Sequence, residues 1–96
     1  MWNKLYIAEG AVGSEKGLII LDEEYKGSCR ITLEQCPKYS AITCGVYGAM
    51  VHTAFCFHKE APVIFEEMKK ELADFIDKKT TVDEEYRFYD YFTSKY

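Results

Sequence analysis

Ninety-six residues, 48% of them hydrophobic, are enough for one modest core and too few for two, so the chain reads as a single ordered domain over 1–96. Sixteen acidic against twelve basic residues give a net charge of -4 with the signs interleaved. This argues against nucleic acid as a partner and against an acidic membrane surface, because the densest basic pairs, Lys69-Lys70 and Lys78-Lys79, sit among carboxylates.

The opening "MWNKLYIAEG" lacks the basic and apolar regions of a signal peptide, and the sequence holds no apolar run of transmembrane length. The expected location is therefore cytoplasmic, where four cysteines stay free thiols.

Residues 2 to 8, "WNKLYIA", alternate as a strand does, with Leu5 and Ile7 on one face and Trp2, Tyr6 and Ala8 on the other. The following "EGAVGSEKG" is glycine-rich. A phosphate cradle would need Lys followed by Ser or Thr and then a helix, whereas Lys16 precedes Gly17 and a second apolar run, so a plain connection is expected. "GLIILD" (17 to 22) reads as a strand, and "DEEYKGS" (22 to 28) as the loop of a hairpin into "CRITLEQC". There Cys29, Ile31 and Leu33 share an apolar face and Arg30, Thr32 and Glu34 the opposite one; Pro37 ends the strand.

The run "ITCGVYGAMVHTAFCFH" (42 to 58) carries two cysteines and two histidines. As one continuous strand it would put Cys44, His52, Cys56 and His58 on one side, but at about three times the usual strand length. A hairpin turning at Tyr47-Gly48 is the better reading. With a two-residue loop, Cys44 opposes Val51, and Ile42, Cys44, Val46, Val51, Thr53 and Phe55 form an apolar face. The histidines then fall on the opposite face.

The remaining metal candidates, His52, Cys56 and His58, are one ligand short of a closed zinc site, and the sequence has no Cys-x-x-Cys pair. No metal or other cofactor is expected, and no catalytic residue is identified, since nothing supplies an orienting carboxylate or an oxyanion hole for a Cys-His dyad.

From residue 61 the period changes. Ile64, Phe65, Met68, Leu72, Phe75 and Ile76 recur at three- and four-residue steps, predicting an amphipathic helix over about 62–78 with Pro62 in its first turn. Thr81-x-x-Glu84 has the capping-box spacing for a second, short helix over about 82–93 within the aromatic C-terminal segment of about 82–96, although "YRFYDYF" has enough β-propensity for a terminal strand.

The expected fold is thus α+β. An antiparallel meander of four to five strands within 2–57 packs on one amphipathic helix, and a short aromatic C-terminal helix lies at an edge, on the second face or on another subunit. Six of the last eleven residues are aromatic, more than one side of a short helix can hide, so Tyr86, Phe88, Tyr89, Tyr91 and Phe92 are the candidate partner-binding residues. The functional expectation is a small cytosolic non-catalytic domain acting through protein contacts, as a homodimer or as a regulator or inhibitor of another protein. The alternative is a metal-binding or thiol-dependent domain around His52, Cys56 and His58.

Overall fold

A computed structural model describes residues 1–6 and 8–96. Among these residues five strands, β1 (Trp2–Lys4), β2 (Leu18–Tyr25), β3 (Cys29–Gln35), β4 (Ser40–Val46) and β5 (Met50–Cys56), form one antiparallel sheet in the order β1-β2-β3-β4-β5. Two helices follow, α1 (Ala61–Asp77) and α2 (Val82–Lys95). This is the expected α+β meander with an aromatic C-terminal helix. The expectation for Ile7 lies outside the described residues.

Alternation along the strands sends Cys29, Ile31, Leu33, Ile42 and Cys44 to one side, each with at most 2% of its surface exposed, and α1 lies over them. Phe65, Met68, Leu72 and Phe75 form the buried stripe of α1, at the spacing that puts them on one helix face. The N-cap of α1, Glu60, makes no side-chain cap bond, and Pro62 occupies the first turn, where a missing amide donor costs nothing.

Helix α2 is held at its start by a complete capping box. Thr81 Oγ1 accepts from the Glu84 amide at 3.2 Å, while the Thr81 amide donates to the Glu84 carboxylate at 3.3 Å. The helix packs beside α1 on the same side of the sheet, rather than at an edge, on the second face or on another subunit. Phe92 is fully buried, its ring 6.4 Å from that of His52, and Phe88 stacks on Phe75 of α1 at 4.1 Å. The reason is that α1 covers too little of the sheet alone, and the rings of α2 fill the remainder.

Two hairpins depart from the sequence reading. Strand β2 continues through "DEEY" instead of turning at Asp22, because its carboxylates find partners inside the fold. Asp22 receives Arg30 and Thr32 from β3, and Glu23 pairs with Lys69 of α1 at 2.8 Å. The turn comes at Lys26 and Gly27, both at positive φ.

The second hairpin does turn at Tyr47-Gly48, but its loop has three residues. Gly48 takes φ +74° while Tyr47 keeps a negative φ, and the Ala49 amide closes the turn onto the Val46 carbonyl at 2.9 Å. A two-residue type I′ turn needs positive φ at both central positions, which tyrosine resists. The extra loop residue pairs Val46 with Met50 and Cys44 with His52. A shift of one residue reverses a strand's faces, so Met50 and Ala54 are buried while Val51 is 81% and Phe55 59% exposed.

Candidate interaction surface

The register of β5 decides what the sheet shows to solvent. On the side away from the helices, the β2–β3 half is polar and internally satisfied. The Asp22 carboxylate, 1% exposed, accepts from both ends of the Arg30 guanidinium, with Arg30 Nε at 2.8 Å, and from Thr32 Oγ1 at 3.0 Å. Glu34, also buried, accepts from the Gly17 amide at 2.6 Å and the Glu15 amide at 3.3 Å, which ties the connection after β1 over this half.

The β4–β5 half is different. Thr43 and Thr53 share a hydroxyl contact at 3.1 Å, and around them stand Val51, Phe55 and, just past the strand, Phe57 at 69% exposure. The Tyr39 ring meets Phe55 edge-on at 5.6 Å. Beside the hairpin end a shallow groove of about 470 Å³ is lined by residues including Thr43, Gly45, Tyr47 and Val51.

The backbone of β5 adds a second feature. The Tyr47 amide donates to the Ser28 carbonyl, and the Cys36 amide to the Tyr39 carbonyl. Both contacts place the odd-numbered residues of β4 in register with β3, so its even-numbered residues bond to β5. Through the pairs Ser40–Cys56 to Val46–Met50, the even residues of β5 are therefore engaged with β4. The N–H and C=O groups of Val51, Thr53 and Phe55 point to the free edge. Among the described residues nothing pairs with that edge.

Residues 39 to 58 contain no Asp, Glu, Lys or Arg. Edge strands are normally blunted by a lysine, a proline or a bulge. Strand β5 pairs in register with β4 along its whole length and has none of these devices. The signal was legible in the sequence as an uncharged run with apolar residues at 51, 55 and 57, but the two-residue loop assigned Val51 and Phe55 to the core.

The residues singled out on α2 divide. Phe92 is fully buried, and Phe88 and Tyr89 are partly buried against the core, whereas Tyr86 at 65% and Tyr91 at 49% remain exposed. The hydroxyl of Tyr91 donates to Glu71 of α1 at 2.5 Å, so it already holds the two helices together.

The Cys and His residues form no common cluster. His52 lies on the helix side of β5, where its Nε2 is buried without a hydrogen-bond partner among the described residues. His58 Nδ1 instead meets Ser40 Oγ at 2.8 Å. Cys56 shares the strand face of His52 but is only partly buried. Burial pushes the thiols of Cys29 and Cys44 up to about 11 and about 12, and those of Cys36 and Cys56 upward as well. Protonated thiols are weak nucleophiles and weak ligands. Among the described residues no group of three or more His, Cys, Asp or Glu side chains converges on a point that could hold a metal ion. No described helix is long and apolar enough to cross a membrane.

No family model matches this chain, and no curated protein or solved structure matches it significantly.

Proposed function

We propose that this domain is a non-catalytic binding module that engages another polypeptide through the β5 edge and the apolar half of the outer sheet face. The observation that carries this reading is the combination on one strand of unpaired outward backbone groups with exposed Val51 and Phe55 and no charge. Main-chain pairing supplies affinity in such contacts, and alternate side chains supply selectivity. The α2 helix contributes less than its composition implies, because three of its five candidate rings pack inward; Tyr86 and Tyr91 are left as a separate, smaller contact. The four unpaired thiols, each held protonated by burial, suit a reducing cytosolic setting.

A photoactivatable phenylalanine analogue at position 55, with the same analogue at exposed Val63 on α1 as control, tests the reading in the protein's own cells. Covalent adducts formed from position 55 and absent from position 63 are expected. Equal labelling from both positions, or none from either, overturns it.

A further inference from the structure

The occupant of the β5 edge can be identified more closely, and this step rests on the reading above. We propose that it is a second copy of this chain, with β5 pairing antiparallel to β5 of its twin about a twofold axis at Thr53. The two sheets then continue as one.

The backbone phase permits this pairing without adjustment. Residues whose outward groups are free, Val51, Thr53 and Phe55, must form the hydrogen-bonded pairs. Centred on Thr53, the twofold matches Thr53 with Thr53 of the other copy and Val51 with Phe55, each pair exchanging both of its bonds. Thr53 is the midpoint of Met50–Cys56, so this register overlaps the whole strand. It also sets hydroxyl against hydroxyl and a β-branched residue against an aromatic one, both favourable cross-strand pairs. A shift to the next hydrogen-bonded register opposes Thr53 to Phe55 and leaves strand ends unpaired. In the centred register Phe57 reaches the turn residue Ala49 of the twin.

Charge favours a twin at this place and disfavours one elsewhere. Each chain carries -4, so most surfaces of two copies repel when brought together. The stretch from 39 to 58 has no Asp, Glu, Lys or Arg, and self-pairing there opposes no carboxylates. The contact is made mainly by the main-chain bonds of Val51, Thr53 and Phe55, with the flank of each Phe55 ring, 59% exposed in the single chain, covered by Val51 of the twin.

Sedimentation of the full chain over a concentration series is the first measurement, with a reversible monomer–dimer equilibrium expected. The register is tested by two doubly substituted chains, Val51→Lys/Phe55→Lys and Val51→Glu/Phe55→Glu. In the proposed pairing each opposes like charges across the axis and is expected to sediment as a monomer. An equimolar mixture opposes lysine to glutamate and is expected to recover the dimer. Circular dichroism of each variant controls for folding, and all four changes are at exposed side chains.

A wild-type chain that stays monomeric at all concentrations overturns the twin. So does a dimer that both doubly substituted chains retain, or a mixture that fails to associate. If the wild type is monomeric while position 55 still crosslinks to a different polypeptide, the binding-module reading stands and the twin alone fails.

Discussion

Cys44 and His52 face each other directly across the β4–β5 ladder, on the side of the sheet that both helices cover. Their proximity resembles a thiol-imidazole pair, but neither group is set up for chemistry. Burial raises the Cys44 thiol to about 12 with the neighbouring Cys29 adding to it, and His52 Nε2 is buried with no hydrogen-bond partner among the described residues while the ring meets Phe92 edge-on. A buried polar atom left unpaired costs about 1–3 kcal/mol. His52→Leu removes that nitrogen at similar volume, and is expected to raise the unfolding free energy by about 1 kcal/mol in urea titration. A fall in stability accompanied by release of a bound metal would show that the nitrogen has a ligand.

Glu34 anchors the connection after β1, and its contribution is separable from that of the core. It is 2% exposed, accepts from the Gly17 and Glu15 amides, and lies where a side chain on Gly13 would have to go: a Cβ there would meet Glu34 Oε1 at 2.0 Å. Hydrogen bonds to a charged acceptor are worth about 1.5–3 kcal/mol, so Glu34→Ala is expected to cost in that range. Amide exchange at Glu15 and Gly17 should quicken while amides in α1 keep their relative order of protection. Gly13→Ala should also destabilise, and the double variant should cost less than the sum, because removing the carboxylate removes the clash. Strict additivity would mean that the two residues do not meet.

Strand β3 and helix α1 were readable because each has a strong period, whereas the strand expected over residues 2 to 8 is the three-residue β1, Trp2–Lys4. The α1 stripe at Phe65, Met68, Leu72 and Phe75 and the Cys29-Ile31-Leu33 face of β3 stand as their spacing predicts. Thr81 and Glu84 form the capping box that their separation implies. The β4–β5 register was not readable from hydrophobic count alone, because both faces of β5 carry apolar residues and only the loop length distinguishes them. Tyr47 held the information: it resists positive φ, which forbids the two-residue turn and forces a third residue into the loop. Asp22 and Glu23 misled in the opposite sense. Consecutive carboxylates look like a turn until Arg30 and Lys69, eight and forty-six positions away, are seen to receive them.

The contact between α1 and α2 should weaken in acid through Glu71. Burial alone would raise the Glu71 carboxyl, but hydrogen bonds from Tyr91 and Tyr96 and the Lys95 ammonium at 3.1 Å outweigh it and hold the group below its ordinary value. The facing acidic neighbour is Glu67, which accepts from Tyr96 at 2.7 Å and lies 3.4 Å from Lys95. A carboxyl depressed in the folded state stabilises the fold above its unfolded pKa, and this contribution is lost as pH falls through the lower folded value. The window therefore opens below about pH 4.3, the ordinary range for glutamate. Asp77, held low by Lys26 at 2.6 Å and Tyr25 at 2.7 Å, works in the same direction at the C-terminal end of α1. The melting temperature of the wild type should fall as pH drops into that window, and Glu71→Gln should flatten the decline while lowering stability at neutral pH. Near-ultraviolet circular dichroism follows the same event locally, because Phe88 stacks on Phe75 and Tyr89 meets Phe75 edge-on only while α2 is docked. An acid slope identical in wild type and Glu71→Gln would exclude Glu71 as its source, and a flatter slope in Asp77→Asn would then assign it to Asp77.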